Sequence, residues 1–412
     1  MNIKYDVAIV GGGIVGLLTS LALAKTGCKI IHIEKDQLQV KNDNRSIAVS
    51  YSSIAFLNTL GLWDKVASTA QAIKKVHISD KGRYGRAEIF AKDENLPFLG
   101  AIVSMQELLA VALQSVADNL NIIKSFETNV IDLEKNSNEY SLVVEKQGQK
   151  SIIQAGLIIA CDGANSSMRK MINVEAQTTD YKQDAVVFDI QTDLDNQNTA
   201  YERFMTDGVL AMLPKSKTVM GCVWTVDRKD SKAKLALDKK EFEELIQDRF
   251  GYRLGQVKVT TKPVVFPLYL VQSNEVYKDN VLFFGNALHF LHPVSGQGMN
   301  LSIRDIGFLY DLLAKLSRQS SDCHPFQTKG NIERVLQEFE KVRKPDHDRT
   351  INITHGFVKW FVSNDRKLIA SRNASLHLLQ RSKLAKKALS RVMMGKLTKG
   401  STLMRKVVED EH

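Results

Sequence analysis

The stretch YDVAIVGGGIVGLLTSLALAKTGCKIIHIE (5–34) constrains this chain more than any other. An apolar run, YDVAIV (5–10), stops at three glycines. A helical pattern follows to about Thr26 and ends at Gly27, and KIIHIE (29–34) is a second apolar run. This is a βαβ opening, which implies a parallel sheet. Gly11, Gly13 and Gly16 fill G-x-G-x-x-G. The first permits a tight turn, the second lets the backbone approach a pyrophosphate, and the third lets the helix pack on the strand. The helix N-terminus then favours phosphate charge. Glu34, closing the second strand, accepts hydrogen bonds from ribose hydroxyls and disfavours a 2′-phosphate, so FAD or NAD(H) is expected over NADP(H). Residues 7–24 carry no charge and match a membrane span in length. Three glycines and a single preceding lysine, Lys4, fit a strand–turn–helix better.

Later segments break this pattern and then return to it. S-M-Q-E, from Ser104 to Glu107, reads as a capping box before the helical run LLAVALQSVA. Residues 126–160 alternate like a strand meander. A second β-rich stretch covers about 183–226 and 256–271, with helical EFEELIQDRF between. VLFF (281–284) is a strand, 299–317 a helix, and the pattern after about 331 is helical. The predicted class is α/β: a Rossmann-like dinucleotide-binding domain (a Rossmann-like FAD-binding domain, by the family resemblance that the glycine motifs carry) with an inserted β-sheet substrate domain and a helical C-terminal region. Residues 1–73, 100–175 and 275–330 form the first, 74–99 and 176–274 the second, and 331–412 the third.

Two more glycine turns carry chemistry. LIIACDGANSSMR places Asp162, Gly163, Ser166 and Arg169 at a strand-to-helix turn. VLFFGNALHFLHPVSGQGMNLSIRD (281–305) places Gly285, Asn286, Pro293, Gly296, Gln297, Gly298 and Asn300 around a second glycine loop. Either turn alone is common in proteins. Three such motifs in this order resemble the FAD-dependent aromatic hydroxylases of the p-hydroxybenzoate hydroxylase fold, over about residues 4–310.

The resemblance implies that one FAD stretches from Gly11–Gly16 to Gly285–Asn300. Asp162 would lie between FAD and a transient NAD(P)H site. Asn286, where most of the family has Asp, would meet the ribityl chain; its amide keeps one acceptor and adds donors. Pro293, Gly296, Gln297, Gly298 and Asn300 would meet the flavin, and a helix dipole there would stabilise its reduced form. Arg45 in NDNRSIAVS and Gln106 match family positions near FAD. His292, beside Pro293, is the active-site histidine candidate, and His289 reads as a loop residue. G-N-A…L-H-P…G-Q-G-x-N-L…R-D is closest to the ubiquinone-pathway ring hydroxylases, in the 2-octaprenyl-6-methoxyphenol hydroxylase branch. YERFMTDGVLAMLP (201–214) resembles the same branch, where Gly208, Ala211, Leu213 and Pro214 would line an aromatic pocket. The reaction implied is hydroxylation of a polyprenylated phenol. By that resemblance NAD(P)H would reduce FAD, O₂ would add at flavin C4a, and the hydroperoxide would deliver one oxygen to the ring. No metal is expected, and no residue stands out as a general base. A flavin reductase or dehydrogenase of an isoprenoid, and a non-catalytic scaffold, are the rival readings.

Composition adds limits. An apolar content of 44% suits a sizeable core. Cys28, Cys161, Cys222 and Cys323 show no paired spacing, which fits a reducing cytoplasm. Net charge is +10, and it is concentrated at one end: Arg366–Val408 holds twelve Lys/Arg and no Asp/Glu. Leu376, Leu379, Leu384, Leu389 and Met393 recur there at roughly helical spacing, with Arg381, Lys383, Lys386, Lys387 and Arg391 interleaved. That is the pattern of a basic amphipathic helix. It serves anionic membrane, a ubiquinone-biosynthesis complex, or packing on the enzyme itself. A cytoplasmic protein with peripheral membrane attachment is the expectation. No nucleic-acid partner is expected, and a homodimer is left open.

Overall fold

The computed structural model describes residues 4–37, 45–136, 139–293, 296–319, 326, 328–361, 366–395 and 400–405. The apolar runs of the opening stretch form Lys4–Val10 and Ile30–Glu34, paired in parallel, with the helix Ile14–Ala24 between them. Five strands run parallel in the order Val281–Phe283, Gln149–Ala160, Lys4–Val10, Ile30–Glu34, Ile122–Phe126. Their near-continuous Val, Ile and Leu content suits a sheet covered on both faces. The helices Ile14–Ala24, Met105–Asp118 and Gln297–Gln319 supply part of that cover.

A nine-stranded sheet stands beside it. Its order is His289–Phe290, Val264–Ser273, Ala176–Thr192, Val219–Asp227, Gly208–Pro214, Thr199–Met205, Lys75–Asp80, Arg86–Phe90, with Val257–Val259 paired to Ala176–Thr192. Alternation sorts its residues between two faces. Phe188, Tyr201, Met212 and Trp224 pack with Phe242 and Ile246 of the helix Lys239–Phe250. Ile78, Ala200, Phe204 and Val209 pack on the other side with Tyr51, Ile102, Leu376 and Met394. Ser46–Ser50, Gly100–Ser104 and Gln71–Ile73 make a small third sheet that the sequence pattern does not announce.

Several expectations need correction. Ser104 caps its helix by accepting from the Glu107 backbone N–H, but Glu107 does not return the bond; its carboxylate accepts the Thr69 hydroxyl instead. His289 is a strand residue, paired with Gln272, rather than a loop residue. The basic tail forms two helices, Arg366–Arg381 and Lys383–Met393, interrupted at Ser382. Part of it is core. Arg372 is buried against Asp80 at 2.8 Å, and Leu376, Leu379 and Leu389 pack under the nine-stranded sheet. Leu378 and Leu384 face outward, 68% and 83% exposed. The side chain of Met393 lies outside the described residues, as does Cys323. Among the described residues, no helix is long and apolar enough to cross a membrane.

Candidate functional site

All three glycine motifs arrive at one edge of the parallel sheet, because each follows the C-terminal end of a parallel strand. Gly11 N–H donates to the Ile33 carbonyl at 2.9 Å, Cys161 N–H to Val10 at 2.7 Å, and Phe284 N–H to Ala160 at 2.9 Å. Ligands of open α/β sheets bind at this edge.

The glycines there do different things. A Cβ on Gly11 would stand 2.5 Å from the Cys161 carbonyl oxygen, and one on Gly16 would stand 2.0 Å from the Gly11 carbonyl oxygen. Both are required by the close approach of protein to protein. Gly13 has φ −69°, and a Cβ on it would meet nothing within 4 Å. Neither conformation nor packing therefore demands glycine at 13; the open space in front of it is the reason. Glu34 sits beside this loop, where one carboxylate oxygen accepts the Gly12 N–H and the other accepts the Asp36 N–H at 3.0 Å.

Asp162 closes the second motif. Its Oδ2 accepts the Met168 N–H at 3.0 Å and the Ser167 hydroxyl at 3.2 Å. Its Oδ1 is buried with no hydrogen-bond partner among the described residues, a state that native proteins seldom leave unfilled. An open glycine at a helix N-terminus and an orphaned carboxylate oxygen fit a ligand carrying a diphosphate and hydroxyl donors, as FAD does.

In the third motif Gly285 takes φ +55° and presses on Val15, so the turn leans on the first helix. Asn286 beside it is exposed. Gly296, at φ +59°, donates to the Pro293 carbonyl at 3.0 Å, and a Cβ on it would come 3.3 Å from Ala48. Val294 and Ser295 of this loop lie outside the described residues. Pro293 is exposed, and a Cβ on Gly298 would meet nothing within 4 Å. Gln297 is buried and opens the Gln297–Gln319 helix. Arg45 and Gln106 come together because Met105 N–H donates to the Arg45 carbonyl at 3.0 Å. The Arg45 guanidinium lies 5.7 Å from the centre of the Phe266 ring on the nine-stranded sheet.

The Asn300 side chain is held by protein on every side. Its Oδ1 accepts Ser50 N–H at 2.8 Å and the Ser53 hydroxyl at 2.7 Å. Its Nδ2 donates to Ala48 and Gly296 carbonyls at 2.9 and 2.8 Å. Every hydrogen-bonding position of the amide is engaged with protein, so Asn300 ties the glycine loop to the Ser46–Ser50 strand.

His292 is buried edge-on to Tyr181, with ring centres 5.2 Å apart. Burial pushes its pKa down to about 4, so it is a neutral imidazole at working pH. Asp305 anchors a buried ionic cluster that sequence patterns did not reveal. Asp305 Oδ1 accepts Arg343 Nε and His347 Nε2, each at 2.7 Å, and Asp305 Oδ2 lies 3.4 Å from His289 Nε2. Asp346 Oδ2 accepts Arg343 Nη2 at 2.7 Å and Arg304 Nε at 2.9 Å. The ligand atoms of His289, Asp305 and His347 lie within 4.8 Å of one another. Arg343, on the same carboxylate, already supplies the balancing cation that a metal would bring.

Of the aromatic-pocket candidates, Ala211 and Leu213 share the face of the nine-stranded sheet that carries Val209 and Phe204. Pro214 falls on the opposite parity, with Met212. Gly208 is a structural requirement, since a Cβ there would lie 1.8 Å from the Thr225 carbonyl oxygen.

Comparison with known proteins decides the family. The FAD binding domain model matches residues 4–324. This chain belongs to that family. It is a flavoprotein hydroxylase of the ubiquinone-hydroxylase type, and FAD is its cofactor. A squalene epoxidase model also matches residues 257–408. An uncharacterized protein of Synechocystis is 30% identical, covering 96% of this chain and 94% of its own. Ubiquinone hydroxylase UbiL of Rhodospirillum rubrum is 28% identical, with 96% and 90% covered. Among solved structures, p-nitrophenol 4-monooxygenase of Pseudomonas putida superposes with a TM-score of 0.71 at 17% identity, over 97% of this chain and all of that one.

Proposed function

We propose that this flavoprotein hydroxylates the aromatic ring of a polyprenylated phenol in ubiquinone assembly, with O₂ as co-substrate and NAD(P)H as transient electron donor. The observation that carries the reading is the meeting of the three glycine motifs at the C-terminal edge of the parallel sheet. The relationship to a ubiquinone hydroxylase supplies the substrate class. FAD, when bound, supplies the redox and oxygen-transfer chemistry. The chain's own residues bind, orient and exclude water. Gly13 and the helix N-terminus hold the diphosphate, and Glu34 holds the ribose. Asp162 and Asn286 accept from hydroxyls of the chain between. Arg45, Gln106, Pro293, Gly296, Gln297 and Gly298 surround the ring system, and Asn300 fixes that loop. The parallel-sheet segments serve the cofactor, and 74–99 with 176–274 serve the substrate.

Purified protein is expected to be yellow and to consume O₂ with NADH only when a phenol is present. A strain lacking the gene is expected to accumulate the prenylated 6-methoxyphenol intermediate. Normal ubiquinone with no intermediate, and no second copy to compensate, would rule the substrate out. The match to a squalene epoxidase model favours one other reading, epoxidation of an isoprenoid double bond. Mass and fragmentation of the oxygenated product separate ring from chain.

Two smaller effects are expected. Asn286→Ala should weaken FAD binding by about one hydrogen bond, ~0.5–1.5 kcal/mol or up to roughly tenfold. Titration of apoprotein with FAD reads it, and unchanged affinity would remove Asn286 from the site. The second concerns the tail. Leu378 and Leu384 stand outward among Arg381, Lys383, Lys387 and Arg391, a surface suited to peripheral attachment to anionic lipid. Deleting the tail would strip Arg372 from Asp80, so surface changes make the better test. Lys383→Glu with Lys387→Glu should lower co-sedimentation with phosphatidylserine vesicles roughly tenfold or more at low salt. High salt should do the same to the parent protein. Equal sedimentation of parent and variant would leave the tail a structural element.

A further inference from the structure

A mostly apolar pocket lies where four parts of the fold meet. Val76 and Ile89 are cross-strand partners on the last two strands of the nine-stranded sheet, and both line it. Ile73 and Leu99 border it at the end of the small third sheet, where Leu99 N–H donates to the Ile73 carbonyl at 2.8 Å. Gln297 and Asn300 bring in the helix that follows the glycine loop. The tail closes the remaining side with Ser390 and Met394. Among the described residues, no charged side chain lines this space. A ligand held here must therefore be apolar over most of its length.

The tail side of the pocket is a wall with two faces. Ser390 is 1% exposed, and its hydroxyl has no hydrogen-bond partner among the described residues. A serine inside a helix often bonds the carbonyl one turn back; this one does not, so the fold has no evident need of its hydroxyl. On the same helix, Lys383–Met393, the side chains of Leu384, Lys387 and Arg391 are exposed. The end of the helix is tied down by the Ser52 hydroxyl, which donates to the Met394 carbonyl at 2.8 Å. A helix is about 10 Å across. A lipid surface on the outer face and the pocket on the inner face are thus separated by one helix.

Resting on the function proposed above, we propose that this pocket seats the first isoprene units of the substrate's prenyl chain, and that Ser390 and Met394 set how much of that chain is admitted. One end of the pocket is at Gln297, which the reading above sets beside the flavin, so the ring stays there and its prenyl substituent runs toward the tail. Val76, Ile89 and Leu99 give that substituent an apolar surface, and burying it there is favourable roughly in proportion to the area removed from water. The basic outer face of the tail holds the enzyme at the surface from which such a substrate comes.

The test uses full-length holoenzyme and two probes, 2-farnesylphenol and 2-methylphenol, which share a ring and differ in the chain. Ser390→Leu breaks no hydrogen bond seen among the described residues and fills space with apolar carbon. The kcat/KM for 2-farnesylphenol, divided by that for 2-methylphenol, should fall about tenfold or more, since a few methylenes decide what an apolar pocket accepts. FAD content and Tm report whether the variant is folded. A second measurement needs no variant. A farnesylphenol carrying a diazirine on its first isoprene unit, irradiated with the parent protein, should label peptides that contain Val76, Ile89 or Ser390. An unchanged ratio in a folded variant, or a label that lands on none of these peptides, overturns the pocket and leaves the function standing. A parent that hydroxylates neither phenol, yet is labelled at these residues, overturns the function and leaves the pocket as an isoprenoid site.

Discussion

Gly13→Val is expected to fold and to purify colourless, whereas Gly16→Val is expected to lose much of its stability. The two glycines share one motif, but their surroundings differ. At Gly13 the backbone is in an ordinary region, φ −69°, and a Cβ meets no protein atom within 4 Å. Valine there costs the apoprotein little. Its methyl groups would stand in the space the diphosphate needs, at the N-terminus of the Ile14–Ala24 helix. The FAD dissociation constant should rise at least about a hundredfold, or ~2.7 kcal/mol. At Gly16 a Cβ would lie 2.0 Å from the Gly11 carbonyl oxygen, and Gly11 itself is held at φ +117° against Cys161. No flexible side chain can yield there, so the helix must leave the sheet. That costs about 3 kcal/mol or more, out of a total stability of roughly 5–15. Absorbance of bound flavin and a thermal melt on both variants check the pair. A yellow Gly13→Val protein with full occupancy would mean the diphosphate lies elsewhere.

This contrast shows what the sequence could convey. Backbone requirements are local, so the turn at Gly11–Gly16, the Asp-Gly turn and the Gly285 turn could all be read from neighbouring residues. Their meeting at one edge followed once each was placed after a parallel strand. Contacts between distant segments left no such trace. Arg372 looked like one more solvated base in a basic tail, yet it is buried on Asp80, almost three hundred residues earlier. Glu107 fits a capping box by spacing, but Thr69 takes its carboxylate. Asn300 sits in a family motif for the flavin and is engaged entirely by protein.

The buried ionic cluster around Asp305 should carry a large single-residue effect on stability. Asp305→Asn is expected to cost about 3–5 kcal/mol, because it leaves buried Arg343 with only Asp346 for compensation and takes from His347 its carboxylate acceptor. An exposed pair gives the contrast: removing Asp279, whose partner Lys135 is 43% exposed, should cost far less. Burial raises the Asp305 pKa, but His347, Arg343 and His289 outweigh it and hold the carboxyl well below its ordinary range. The sign of the pH effect follows. A depressed folded pKa gives stability that is present above the unfolded value of about 4 and is lost as pH falls through the folded one. Denaturant melts of the parent should therefore weaken steeply in acid, and the Asn variant should lack that part of the slope. The effect should also reach the cofactor. Asp305 rides on the Gln297–Gln319 helix, and His289 follows the Gly285–Ala287 turn by two residues, so FAD retention should fall with stability. Arg343→Met in the Asp305→Asn background should restore part of the loss, since the partner's buried charge is then removed as well. A double variant as unstable as the sum of the singles would show that the two residues act independently.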